Sequence, residues 1–156
     1  MELFAAVTHE ARQPHWYMAG AVPDTLDGRF AVLATVTALA LVRLENGGEQ
    51  ADAAGVALTE RFVAIMEAEH RELGLGDPGL GKKVRRLVSA LGRRVALWRE
   101  AVAGGDFVEA ARQSLGDERD DGAAEGALAH RVAALRALWA RLQAGTVDQL
   151  AQGKIA

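Results

Sequence analysis

The stretch Gly76-Asp-Pro-Gly-Leu-Gly-Lys-Lys83 comes within one residue of the phosphate-cradling pattern G-x-x-x-x-G-K-[ST]. Lys83 stands where that chemistry needs a hydroxyl for magnesium, and the residues before the loop follow a helical period instead of strand alternation. The overlapping Gly74-Leu-Gly-Asp-Pro-Gly79 fits G-x-G-x-x-G with the same defect. Both read as a glycine-rich connector between helices, and a nucleotide-binding enzyme using Gly76–Lys83 stays the minor alternative. The four histidines, His9, His15, His70 and His130, form no HExxH motif or i, i+4 pair. No metal site is therefore expected. The chain has no cysteine, which excludes thiolate chemistry and disulfides. Ser89 and Ser114 lie in no nucleophile elbow. No catalytic residue, metal or cofactor is expected.

Charge gives a second pattern. At about 100° per helical residue, Lys82, Arg86 and Arg93 share a narrow stripe opposite an apolar face, with Lys83 and Arg94 beside it. Such a stripe can track phosphates on RNA or anionic lipid headgroups, or be a solvated helix face. A net charge of −3 gives the whole molecule no pull toward DNA, and the few aromatics do not support base stacking.

Two segments are dense in residues with special backbone roles: Trp16 to Phe30, containing Pro23 and Gly28, and Arg71 to Asp77, containing Gly74 and Gly76. Helical scaffolding needs no such density, so they are read as a site. A capped helix start explains Asp24, with Asp27 near the helix dipole. It does not explain Gly28 or Arg29, because glycine inside a helix costs about 1 kcal/mol relative to alanine. A close approach at Gly28, internal or with a partner, would account for it.

The elements that position these segments are helices. Glu2 to Gln13 is amphipathic and stops at Pro14, and Trp16–Pro23 lacks helical period. Asp24 or Thr25 caps a helix running to about Glu45, apolar on nearly every side and hence the centre of the domain. The next runs from about Asp52 to Leu73, with Leu58, Phe62, Ile65, Met66 and Leu73 on one face. Glu69 shares that face, so either Arg29 or Arg43 pairs with it or the stripe has an exposed edge there. Leu80 to Val102, Asp106–Leu115 and Ala124–Ala144 complete the set, the last with a seam of Leu128, Val132, Leu135, Trp139 and Leu142. Asp117–Asp121 reads as a charged linker and Thr146–Ala156 as a weakly specified tail.

The expectation is an all-α, single-domain bundle of about five to six helices around the helix at about 26–45, with residues 1–104 as core and 105–156 as a helical extension packed on it. A length of 156 residues suits one domain with a real core. The longest uncharged run, Phe30 to Val42, is well short of the ~18 apolar residues of a membrane span. The first residues lack signal- and transit-peptide features. A cytoplasmic protein, peripheral to the inner membrane at most, is expected.

Val22-Pro-Asp-Thr-Leu-Asp-Gly-Arg-Phe30, Arg43-Leu44, Arg71-Glu-Leu-Gly-Leu-Gly-Asp77 and Gly81-Lys-Lys-Val84 together resemble the ubiquinol–cytochrome c chaperone family, assembly factors of the respiratory cytochrome bc1 complex. The similarity spans about residues 3 to 102, and the lack of transit-peptide features makes the short bacterial type the expected one. It implies a non-enzymatic chaperone that binds newly made cytochrome b, with a small partner subunit and near the ribosomal exit in mitochondrial relatives. The family pattern falls on Pro23, Asp24, Thr25, Gly28, Arg29 and Phe30, and on Arg71, Glu72, Gly74, Gly76 and Asp77. His70 stands where leucine is usual, Glu67 replaces an Asp-x-Asp pair, and no tyrosine precedes Gly92. These departures leave open a helical interaction module with another client.

On this reading Trp16, Tyr17 and Phe30 supply apolar anchors. Asp24, Asp27, Arg29, Arg71, Glu72 and Asp77 orient the client or hold the site together. The stripe of Lys82, Lys83, Arg86, Arg93 and Arg94 would face the ribosome or the inner membrane.

Overall fold

The centre of the molecule is the helix whose sequence is apolar on nearly every side. A computed structural model describes residues 2–74, 76–116 and 123–156, with backbone alone for Asp77 and residues 123–125. Its described residues form seven α-helices: α1 (Glu2–Ala11), α2 (Leu26–Leu44), α3 (Glu49–Glu72), α4 (Asp77–Val102), α5 (Phe107–Leu115), α6 (Ala123–Ala144) and α7 (Val147–Ala151). A 3-10 turn, Pro14–Trp16, links α1 to the loop before α2. The fold is all-α, with one to two more helices than expected.

Thr25, not Asp24, caps α2. Its hydroxyl accepts from the Gly28 N–H at 3.1 Å, while Asp27 adds a negative charge to the first turn. From there α2 buries Val32, Ala34, Val36, Leu39, Val42 and Leu44 against α1, α3, α4, α5 and α6. A helix contacting five others has no solvent stripe to reserve for polar residues, which is why its sequence shows so little amphipathic period.

The flanking helices bury a single stripe each. In α3 it is Ala51, Ala54, Leu58, Phe62, Met66 and His70. Leu73 lies past the helix end and is 62% exposed. Gly74 takes the left-handed conformation (φ +85°) that ends α3, donating its N–H to the Arg71 carbonyl at 3.0 Å. Glu69 is exposed, so the α3 stripe does have an open edge there. Arg43 instead donates to the Leu142 and Gly145 carbonyls, at 2.9 and 2.8 Å.

In α6 the buried row is Arg131, Leu135, Leu138 and Leu142, which keeps Leu135 and Leu142 of the expected seam; Leu128, Val132 and Trp139 are half-buried. A charged residue on the inward face hid the rest of that row. Arg131 donates to the Gly20 carbonyl before α2 and, at 2.8 Å, to the Gly116 carbonyl after α5. Within the stretch expected to be a weakly specified tail, Val147–Ala151 form α7. Thr146 and Gln149 make a reciprocal capping box, and Leu150 is buried where α7 meets α1 and α3. The expected linker at 117–121 lies outside the described residues.

A polar knot crosses the core. The Ser114 hydroxyl accepts from Trp98 Nε1 at 3.0 Å and shares a hydrogen bond with the Thr35 hydroxyl. The Ser114 carbonyl accepts from Arg94 Nε and Nη2 at 3.1 and 2.8 Å. One small residue therefore joins α2, α4 and α5. Among the described residues, no helix is long and apolar enough to cross a membrane.

Candidate functional site

Where the C-terminal end of α1, the start of α2, the end of α3 and the start of α4 converge, they leave a partly open cavity of about 670 Å³. Phe4, Phe30, Leu33, Ile65, Met66 and Leu87 make its apolar lining. Met18 and Leu26 stand at its lip, 75% and 44% exposed. Around them lie the charged groups of Arg12, Asp24, Asp27, Arg29, Glu69 and Lys83.

The first expected segment builds one wall of this cavity. Trp16 is not a surface anchor: it is 1% exposed, and its indole donates to the Glu10 carbonyl at 2.9 Å, pinning the segment to α1. Val22 is buried beside it. That anchorage presents Tyr17 and Met18 to the cavity. The Tyr17 hydroxyl donates to the Ala11 carbonyl at 3.3 Å. Burial first, then the Asp24 carboxylate, hold the phenol above its ordinary pKa, with Arg29 pulling the other way.

The α2 entrance is fixed by steric fit. The Pro23 carbonyl occupies the space a Cβ on residue 28 would need, so the close approach at Gly28 is internal. One turn of chain folds back tightly, and Arg29 Nε reaches Asp24 Oδ1 at 2.7 Å. Both partners are well exposed. The hydrogen bond to Asp24 raises the Arg29 pKa above its ordinary value, and Tyr17 and Glu69 add to the shift from farther away. Phe30 is half-buried between the Phe62 ring, 6.0 Å between centroids, and the Arg94 guanidinium, 5.5 Å from its own ring centre.

The second expected segment contributes differently. His70, beside Arg71, lines the cavity and is buried; its Nδ1 donates to the Met66 carbonyl at 2.8 Å. A hydrogen-bonded imidazole thus fills a position that suits leucine. Arg71 and Glu72 are exposed on the last turn of α3 and do not line the cavity. Arg71 makes no ion pair among the described residues. The Asp77 side chain lies outside the described residues; its backbone opens α4.

Residues 77–83 are already helical, with Gly76 as the N-cap. The glycines of the near-match to a phosphate loop therefore lie in or next to a helix, and no strand among the described residues aims them. No cluster of potential metal ligands occurs among the described residues.

The basic stripe divides. Lys82, Arg86 and Arg93 are exposed, whereas Lys83 turns to the cavity rim. Arg94 turns inward to the Ser114 and Ala90 carbonyls, and burial, then the Arg93 charge, lowers its pKa from the ordinary value. It lies three residues beyond Leu91 and four before Trp98, on the edge of the buried face, so it serves the core.

Sequence reasoning missed one pairing at the back of the wall. His15 Nδ1 lies 3.0 Å from His130 Nε2, across 115 residues of chain. Nearby, Arg141 makes a two-pronged ion pair with Glu10 of α1. No local spacing signals either contact.

No curated protein sequence matches the chain. Its fold is similar to the crystal structure of the Cbp3 homolog from Brucella abortus, with a TM-score of 0.83 and 24% identity, over 99% of this chain and 86% of that one. Residues 19–156 match the family model described as ubiquinol-cytochrome C chaperone, so the match runs on past residue 105, where the sequence resemblance carries no motif. The chain belongs to the ubiquinol-cytochrome C chaperone family.

Proposed function

We propose that this chain is a non-enzymatic assembly chaperone of the cytochrome bc1 complex that holds newly made cytochrome b at the cavity between α1, α2, α3 and α4. One observation carries the assignment of the surface: an open apolar cavity with Met18 and Leu26 exposed at its lip, built by the segment that bears the family pattern. Large exposed apolar side chains around a concavity suit the transient burial of an apolar client. A membrane protein still outside the lipid is such a client. Mixed charge around the rim suits orientation more than tight capture.

In this reading Tyr17 and Phe30 wall the cavity, Asp27 and the Arg29–Asp24 pair orient the client, and Arg71, Glu72 and Asp77 extend the contact along the α3–α4 turn. Lys82, Arg86 and Arg93 face the ribosome or the inner-membrane surface, and a small partner subunit completes the working unit. The protein would work at the cytoplasmic face of the inner membrane.

The test is the reduced-minus-oxidised haem b spectrum and ubiquinol–cytochrome c reductase activity of membranes from a deletion strain. Selective loss, restored by the intact gene and not by a Met18→Asp/Leu26→Asp chain, is the expected result. Unchanged haem b and activity in the deletion strain would overturn the reading.

A further inference from the structure

A second concave surface shares no lining residue with the cavity. It runs along α3 from Ala51 to Glu67, between the C-terminal part of α2 and the second half of α4, and encloses about 770 Å³. Leu41, Ala51, Val63 and Val95 line it, and Val56 stands over it 59% exposed. We infer that this groove docks a positively charged amphipathic helix of a partner protein distinct from the client at the cavity.

Charge identifies the occupant. Asp52, Glu60 and Glu67 border the groove, are exposed, and make no ion pair among the described residues. Asp52, Val56 and Glu60 follow one another at i, i+4 spacing, so acid and apolar groups alternate along one row of α3. The fourth carboxylate, Glu45, is held by Arg99 Nε at 3.0 and 2.8 Å, which also removes the one cation of the lining from competition. What remains is an apolar trough edged by uncompensated negative charge, and its complement is cationic and amphipathic.

Backbone chemistry sets the occupant's form. The walls are helices whose backbone groups bond internally, so no sheet edge exists for an added strand, and docking must proceed through side chains. The stretch from Ala51 to Glu67 spans roughly 24 Å at 1.5 Å per residue, about four turns of a partner helix.

Gly55 supplies an independent observation. A Cβ there would meet nothing closer than a Leu41 methyl carbon at 3.7 Å, an ordinary contact. The fold therefore does not require glycine in mid-helix, where it is among the poorest helix formers. Its missing side chain leaves a notch in the groove that admits a partner backbone.

The experiment places a photo-reactive benzoylphenylalanine at Val56, and separately at Val63, in the full chain in cells, and maps the cross-linked peptides. The expected product from both positions is one Lys/Arg-rich segment with apolar residues at helical spacing, from a protein other than cytochrome b. Charge reversal by Asp52→Lys, Glu60→Lys and Glu67→Lys should reduce that product about tenfold, with helix content by circular dichroism retained. Gly55→Leu should do the same by filling the notch; if it loses helix, the charge-reversed chain decides. Cross-links to cytochrome b, to a second copy of this chain or to an acidic segment would overturn the proposal. So would a product indifferent to charge reversal, or none from either position.

Discussion

The Pro23 carbonyl fills the space in which a Cβ on residue 28 would stand, with a Val22 methyl carbon 3.3 Å from the same point. The loop before α2 and the first turn of α2 are thereby locked in one register, and the orientation of Asp24 and Arg29 follows from that lock. Gly28→Ala must push the loop away, which costs about 1–3 kcal/mol. Urea denaturation should show a lower midpoint with unchanged slope. A variant as stable as the parent would mean that the loop yields freely.

The Arg29–Asp24 ion pair, at 2.7 Å, joins two exposed side chains. Exposed pairs contribute little to stability because water and salt screen them. Arg29→Ala should therefore leave the thermal midpoint and helix content unchanged while lowering cytochrome b recovery in pull-downs. Arg71→Ala, which breaks no ion pair among the described residues, should behave alike. Loss of helix in either variant would make these residues structural.

Two hydroxyls on α2 and α5 should respond oppositely. Ser114→Ala strips the buried Trp98 indole of its acceptor and should cost about 1–3 kcal/mol. The Thr37 hydroxyl is buried without a hydrogen-bond partner among the described residues. Thr37→Val replaces it with a methyl of similar size, so stability should be unchanged or rise by up to about 1 kcal/mol. Chemical denaturation of the pair of variants checks both signs.

The His15–His130 contact makes stability depend on pH. Burial, followed by the His130 and Arg141 charges, holds the His15 pKa below its ordinary 6.5, against an opposing pull from Glu10. The unfolded chain then binds a proton more readily than the folded one, so its contribution is complete above pH 6.5 and is lost as pH falls below it. The hydrogen bond itself needs one ring nitrogen unprotonated. Thermal midpoints measured from pH 8 to pH 5 should fall on the acid side, and His15→Gln should flatten that fall. Equal slopes for parent and variant would remove His15 as the source.

What could be read from the sequence depended on how local the cause was. The α2 core helix was legible because a run from Phe30 to Val42 without charge has no polar face to hide. The short helix α5 was legible because Asp106 caps it, Oδ1 accepting from the Glu109 N–H at 3.0 Å. Gly28 announced a close contact, though only coordinates reveal that it is met by Pro23. Of the expected site residues, Tyr17, Asp24, Asp27, Arg29, Phe30 and Lys83 line one cavity, while Trp16 lies beneath it and Arg94 faces the core. Arg131 misled because an inward arginine satisfied by two distant carbonyls looks polar in sequence. The helix α7 escaped because five residues are too few to show a period, although Thr146 and Gln149 carried its capping signature.

Arg131 has a temporal consequence. Its bond to the Gly20 carbonyl ties the wall carrying Tyr17 and Met18 to a residue 111 positions further along the chain. Synthesis runs from the N-terminus, so the residues between Gly20 and Arg131 must leave the ribosome before that bond can form. The tie between this wall and α6 is therefore made after the wall itself, once the helices between them have been synthesised.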